Sequence, residues 1–520
     1  MMSTSVLRKI RYKGIVCNDG NVLILFGIRR KSTFPTTRGR SHNSSFCLGP
    51  RLGSRYTSTG SQNNGENTDF DAAKKYDIVI AGGGLVGTAL ACLLGKDPVF
   101  QDHKILVLEA APSMELLKHA PERYSNRVSA ITPGTKGLLE YIGAWDEIKS
   151  LRYKSFSKMH VWDACGAGYI TFNAEGIRQE NEENTDHSMA YIIENSIILS
   201  AMTQQILNVH QNVDLHYSSR IKDIEFPADK CEKNVPQLVR LSLENGSEFQ
   251  TKLLVGADGI NSFVRAKAKM RFLAHDYQQT AVVATLHLEE ETPNDVAWQR
   301  FLPTGPIAML PLSRNRSSLV WSTTPADARA LIDVPDDEFV DAVNNAFWAD
   351  CDRHPLIDRS ASVLQSIISA IQPGTFAGSK LMQPPTISGI DRSSRAMYPL
   401  GLGHASHYVN SRVALIGDAA HRVHPLAGQG VNLGASDVQC LRDVLVDAVQ
   451  HGNDIGDLDH LLEYETMRQR EVVPMMTAID TLKRLFSTSF FPFVFARTIG
   501  LQATNALTPL KDQIIKHAMK

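Results

Sequence analysis

The sequence predicts an α/β protein. A dinucleotide-binding layer is assembled from discontinuous segments, a second and mainly antiparallel β-sheet covers it, and the C-terminus is helical. Three observations carry this expectation. The stretch "YDIVIAGGGLVGTALACLLG" (76–95) reads as strand, glycine turn and helix, and "HKILVLEAA" (103–111) as a second buried strand. Together they make a βαβ unit and hence a parallel sheet. Two further apolar runs that end in turns, "KLLVGADG" (252–259) and "RVALIGDAA" (412–420), arrive far later in the chain. The layer is therefore collected from distant pieces, and the intervening stretches are rich in β-branched and aromatic residues, as strands are.

Taken in order, residues 1–60 hold eleven Lys or Arg and one acid, Asp19, among many Ser and Thr. That is the composition of an organelle transit peptide. The apolar run "NVLILFGI" (21–28) is too short to span a membrane. Two readings stay open for this segment: a mitochondrial presequence, or a basic tail with a surface role such as binding anionic lipid. The polar stretch "SQNNGENTDF" (61–70) is a linker, so residues 1–70 stand apart from the folded body.

The dinucleotide-binding layer is expected over 75–156, 191–275 and 401–475. The second sheet takes 157–190 and 276–400. Its strands are "SKMHVWDACGAGYITFN" (157–173), "QQTAVVATLHLEE" (278–290) and "AWQRFLPTGPIAMLPLSRNRSSLVWSTT" (297–324), the last read as two strands around turns. "EGIRQENEENTDHS" (175–188) is a charged loop and "PADKCEKNVP" (227–236) a hairpin tip. After residue 435, Leu441, Val444, Leu445 and Ala448 recur at helical steps. The closing segment, 476–520, carries Phe486, Phe490, Phe491, Phe493 and Phe495 between Arg484 and Arg497. Two readings are open for it as well: contact with a bilayer or a lipid tail, or burial between helices or against a partner.

Composition excludes several classes. Beyond residue 60 the chain has 43 basic and 54 acidic groups, and an acidic body argues against a nucleic-acid surface. The seven cysteines show no C-x-x-C pair, so no zinc or dithiol site is indicated and free thiols in a reducing compartment are expected. No run of 18 apolar residues exists, so no membrane-spanning helix is expected.

The chemistry lies in three motifs. Gly82-Gly83-Gly84-Leu85-Val86-Gly87 fits G-x-G-x-x-G between a strand and a helix, the context the motif needs. Gly82 permits the tight turn, Gly84 lets a pyrophosphate approach, and Gly87 lets helix and strand pack. Glu109 ends the second strand 22 residues after Gly87, where an acid binds adenosine ribose hydroxyls. The second motif is "VGADGINSFVR" (255–265), with Asp258, Gly259, Ser262 and Arg265. The third, "LIGDAAHRVHPLAGQGVNLG" (415–434), places Asp418 between a buried strand and a glycine-rich turn. A carboxylate there needs a hydrogen-bonding partner from the protein or a ligand. His421 and His424 are candidates for a general base because histidine titrates near neutrality; hydrogen bonding within the loop is the alternative.

These three motifs in this order resemble the single-component flavin monooxygenases of the para-hydroxybenzoate hydroxylase class. "NRVSAITPGT" (126–135), "YIIENSIILSAM" (191–202), "WQRFLPTGPIAMLPL" (298–312) and "HPLAGQGVNLG" (424–434) resemble its ubiquinone-biosynthesis branch more closely, over about residues 75–475. The resemblance implies a glutathione-reductase-type FAD-binding fold with FAD held noncovalently. Gly82, Gly84 and Gly87 would bind the pyrophosphate, Glu109 the ribose, and Asp418 the ribityl chain or ribose. Gly428, Gln429 and Gly430 would start a helix beside the flavin, with Asn432 in its first turn. Arg127, Asp258, Gly417 and Pro425 complete the implied cofactor set. The implied reaction transfers oxygen from O2 to an electron-rich, polyprenylated hydroxybenzoate-type ring, at ring C5. Phe301, Leu302, Pro303, Pro306 and Met309 would line the ring pocket. Electrons would come from NAD(P)H or from a ferredoxin and its reductase. The implied place is the matrix side of the mitochondrial inner membrane, peripherally, with other ubiquinone-biosynthesis proteins. Two alternatives stand beside this reading: a hydroxylase of a small soluble phenol, and a non-catalytic prenyl-lipid adaptor.

Overall fold

Strand Lys74–Ala81 is apolar on both faces, and Ile78, Val79 and Ile80 are fully buried, as in a sheet covered on both sides. A computed structural model describes residues 73–174, 187–227, 238–289, 293–349, 366 and 383–519. The expected leader and linker (1–70), residues 175–186 of the charged loop and residues 228–236 of the hairpin tip lie outside the described residues.

Lys74–Ala81 is the middle of a parallel core. The spatial order is Val413–Leu415, Glu248–Gly256, Lys74–Ala81, Ile105–Leu108, Val213–His216, with every neighbouring pair parallel. In chain order this is fifth, fourth, first, second, third, so the order reverses between Lys74–Ala81 and Glu248–Gly256. Ligands of open α/β sheets bind outside the carboxyl ends of strands at such a reversal. The turns leaving Lys74–Ala81, Glu248–Gly256 and Val413–Leu415 carry the three motifs, so the topology brings them to one place.

The second sheet has nine strands, antiparallel except for one pair, Val296–Leu302 with Lys158–Asp163. The stretch 297–324 holds three strands where the sequence suggested two: Val296–Leu302, Gly305–Ser313 and Arg316–Thr323. Pro306 and Pro311 disguise the middle one, because proline breaks a ladder. The ladder accommodates Pro311 with a register shift between Pro311 and Ser313. The long strands Phe272–Leu288 and Ala396–Ala405 pair with each other and run through the expected boundaries at 276 and 400. Helices Pro325–Asp333 and Asp336–Trp348 supply Ala328, Phe339 and Val343 to a core under one face, with Trp298, Met309 and Leu319. A small sheet of Val128–Ile131, Ala190–Glu194 and Lys154–Phe156 packs on the other face, where Phe156, Ala190 and Ile192 meet Ala297 and Leu312.

The C-terminus is helical over Gly430–Gln450, Leu458–Phe486, Phe491–Ala506 and Thr508–Ala518. The phenylalanine cluster divides. Phe486 is buried and stacks on Phe301 with ring centres 3.9 Å apart, while Phe490, Phe491 and Phe493 are exposed. Arg497 does not flank the cluster as a free cation. It is buried and donates to Asp163 at 2.6 and 3.1 Å, fastening helix Phe491–Ala506 to the second sheet.

Candidate active site

The glycine turn closes through backbone contacts. Gly82 N–H donates to Leu108 O at 2.8 Å, and Gly82 has a φ of +110°. A Cβ on Gly82 would lie 2.4 Å from Ala257 O, so the first and second motifs back directly onto each other. A Cβ on Gly87 would lie 2.0 Å from Gly82 O, which makes that glycine obligatory for helix–strand packing. Gly84 is different: a Cβ there would meet no protein atom within 4 Å, although it heads the central helix Leu85–Lys96. Helix N–H groups with open space before them suit a phosphate. Glu109 accepts from Gly83 N–H at 2.6 Å and from Ala111 N–H at 2.7 Å. A carboxylate has about four acceptor positions, so Glu109 can shape the turn and still take sugar hydroxyls.

In the second motif Asp258 Oδ2 accepts from Phe263 and Val264 N–H at 2.7 and 3.1 Å, starting helix Phe263–Lys267. Among the described residues its Oδ1 is buried with no partner. Arg265 donates to Ala419 O at 2.7 Å and to Ile260 O at 2.6 Å, so it staples the second motif to the third.

In the third motif Gly417 turns the chain at φ +58°. Among the described residues no hydrogen bond reaches the Asp418 carboxylate. It is exposed, yet surrounding protein withholds enough water to push its carboxyl above the ordinary range. Pro425 begins a short 3₁₀ turn, Gly428 ends it at φ +61°, and Gln429 caps helix Gly430–Gln450. A Cβ on Gly430 also meets no protein atom within 4 Å. Two helix starts facing open space and a carboxylate without a protein partner fit an extended dinucleotide.

Other expected residues have different surroundings. Both ends of the Asn432 amide are taken within the protein: its Oδ1 accepts from Thr132 N–H at 3.1 Å and its Nδ2 donates to Ala130 O at 2.9 Å. It fixes the helix start to strand Val128–Ile131. Arg127 is exposed, and its loop is held by buried Glu194, which accepts from Ser125 N–H at 2.6 Å and from Arg152 at 2.5 Å. His421 is buried, with its Nε2 2.6 Å from the Asp437 carboxylate beneath the turn. His424 is fully buried, and its Nδ1 accepts from Leu426 N–H at 3.1 Å. That bond puts the ring proton on Nε2. Burial, aided by Lys483, pulls His424 down to about 4. Both histidines are buried in contacts within the protein, and neither is placed as a general base.

Pocket residues sort by strand alternation. Phe301 and Pro306 are cross-strand partners on the face turned to the small sheet. Met309 points the other way, fully buried with Trp298 and Leu319 under the helices, which removes it from the pocket. Leu302 also packs toward that helix-covered core, and Pro303 is an exposed turn residue. The cleft face instead presents a row across five strands: Gln299, Ala308, Val320, Val283 and Ala396. Ala308, Val320 and Ala396 are half-buried, and Tyr398, two residues on from Ala396, is partly exposed beside the row. Reading by hydrophobicity missed this row because it mixes Gln299 with alanines and valines and is joined only through cross-strand register.

A family model described as an FAD binding domain matches residues 75–367 and 387–477. The ubiquinone biosynthesis monooxygenase of Xenopus tropicalis is 49% identical over 474 residues, covering 91% of this chain and 100% of its own. The human protein of the same name is 50% identical over 445 residues, covering 86% and 92%. The chain belongs to the ubiquinone biosynthesis monooxygenase family. As a family member it is an FAD-dependent monooxygenase, and the mitochondrial names of these relatives support a mitochondrial location. Among solved structures, a p-nitrophenol 4-monooxygenase from Pseudomonas putida superposes with a TM-score of 0.61 at 17% identity, covering 86% of this chain and 98% of its own. A probable FAD-dependent monooxygenase from Pseudomonas aeruginosa gives 0.58 at 21%, covering 82% and 100%. These two show the fold.

Proposed function

We propose that this ubiquinone biosynthesis monooxygenase hydroxylates the aromatic ring of a polyprenylated hydroxybenzoate, at ring C5. The observation that carries the proposal is the gathering of Gly84, Asp418 and the Gly430 helix start at the carboxyl ends of neighbouring parallel strands, each open to solvent space. The row through Ala308 and Val320, with Phe301 and Tyr398 beside it, would be the surface that takes the ring. Bound FAD, once reduced, supplies the activation of O2 that ring hydroxylation needs. The chain's part is to bind, orient and exclude water. Gly82 and Gly87 would shape the turn and Gly84 would give the pyrophosphate its approach, Glu109 and Asp418 would take sugar hydroxyls, and the Gly430 helix start would offer N–H dipoles to the reacting ring system. A flat ring would rest on Ala308 and Ala396 of the row, where bulky side chains would lift it away.

Phe301 and Phe486 form a buried apolar cluster with half-buried Leu426 and Leu485 at its edge, the apolar surface a prenyl chain would follow. Among the described residues no helix is long and apolar enough to cross a membrane. Exposed Phe490, Phe491 and Phe493 support peripheral attachment to the matrix side of the inner membrane, the place from which a prenylated substrate can be drawn. Electrons would come from a ferredoxin system or NAD(P)H, and other ubiquinone-biosynthesis proteins would be the membrane partners. Loss of the gene followed by lipid analysis tests this reading. Depleted ubiquinone with a prenylated ring lacking the C5 hydroxyl is expected; a normal ubiquinone pool without that precursor would overturn it.

A further inference from the structure

Beneath the third motif lies a charged group that binding and ring chemistry leave unused. Asp437, on helix Gly430–Gln450, is completely buried. Its carboxylate accepts from Gly417 N–H at 2.8 Å, lies 2.6 Å from His421 Nε2, and accepts from Arg468 Nε at 2.7 Å. Arg468 is itself buried and comes from a third element, helix Leu458–Phe486. Burial works against ionising Asp437, but His421 and Arg468 more than offset it and hold the carboxyl below its ordinary range.

The placement gives this group a consequence for the cofactor. Gly417 immediately precedes Asp418, and helix Gly430–Gln450 begins at the glycine that faces open space. One carboxylate therefore joins the two halves of the cofactor cradle. We infer that Asp437, with His421 and Arg468, is a positioning group that fixes the spacing between the Asp418 turn and the Gly430 helix start, and through it the seat of the bound flavin. The inference rests on the cofactor site proposed above.

Charge alone cannot be the reason such a group is buried. Replacing a buried ion pair by well-packed apolar residues is often neutral for stability. A purely structural pair would then be replaceable without effect on FAD. A positioning group would not, because Gly417 N–H and His421 would lose their common acceptor.

The test is reconstitution of the full-length apoprotein with FAD, reading Kd from flavin fluorescence and the seat from the visible absorption band. Melting temperature is followed in parallel. For the paired variant Asp437→Leu with Arg468→Met, the expected result is a lowered melting temperature, because Gly417 N–H and His421 lose their acceptor, with a Kd raised tenfold or more and a shifted band. His421→Gln, which keeps the ion pair, should raise Kd about threefold and reports even if the paired variant does not fold. Val343→Ala, in the helix under the far face, lowers stability without touching the cradle and should leave Kd unchanged. Wild-type Kd and band in both His421→Gln and a folded paired variant would overturn the positioning role. An unchanged Kd in Asp418→Ala would instead overturn the cofactor site itself, so the two failures are distinguishable.

Discussion

Gly84 and Gly87 stand three positions apart and answer opposite demands. A methyl at Gly87 would collide with the backbone of Gly82, whereas a side chain at Gly84 would enter empty space. Gly87→Ala should therefore weaken the fold itself by about 1–3 kcal/mol, the usual cost of overpacking. Gly84→Val should leave the apoprotein's denaturant midpoint near wild type while FAD affinity falls at least tenfold. If Gly84→Val bound FAD normally, the pyrophosphate would not lie at this turn. His424 illustrates what a sequence withholds. Its presence in the motif was legible; its proton was not, because the Nδ1 bond and full burial belong to the folded loop. His424 falls from an ordinary 6.5 to about 4 on folding. The folded chain keeps it neutral while the unfolded chain takes up a proton. Its stabilising effect is full above 6.5 and declines as pH falls toward 4, by up to about 3 kcal/mol. In urea unfolding, His424→Gln should flatten the stability slope between pH 6.5 and 4 relative to wild type; an identical slope would refute the assigned protonation. Asp437 and Arg468 were invisible for a related reason. Each looks like an ordinary polar position on a helix, and their pairing spans 31 residues and two helices.

At the scale of elements, the second sheet was legible as a sheet but not as a surface. Strand Gly305–Ser313 is apolar on both faces, because one faces the cleft and the other the helices. Alternation therefore carries no sign of which face is which, and Met309 and Pro306 could not be separated without the register. The register also yields a direct test of the cleft floor. Ala308 is half-buried in the middle of the row. Ala308→Phe should raise KM for the prenylated ring at least tenfold, with FAD affinity and melting temperature close to wild type. An unchanged KM would move the substrate away from this face. The helical end was legible as helical, but Arg497 was not legible as a buried partner of Asp163, since 334 residues separate them. A basic residue beside phenylalanines reads as a membrane flank until its counter-ion is known.

At the scale of the molecule, the order of the parallel strands explains why three motifs so far apart in sequence serve one ligand. Their turns leave neighbouring strands at the point where the order reverses. This much could be anticipated, because each motif ended an apolar strand. The second surface of the cleft could not, since it depends on how a nine-stranded sheet is turned toward the first layer. On the proposed function, a ring held between the two surfaces would take a single oxygen atom. The most direct measurement is turnover by the purified holoprotein under ¹⁸O₂, with a reduced ferredoxin system or NADPH and a polyprenylated 4-hydroxybenzoate, followed by mass spectrometry of the lipid product. The prediction is a product carrying one ¹⁸O atom in a new ring hydroxyl at C5. A product whose new hydroxyl comes from water, or reductant consumption that yields only hydrogen peroxide while the ring is unchanged with both donors, would contradict it.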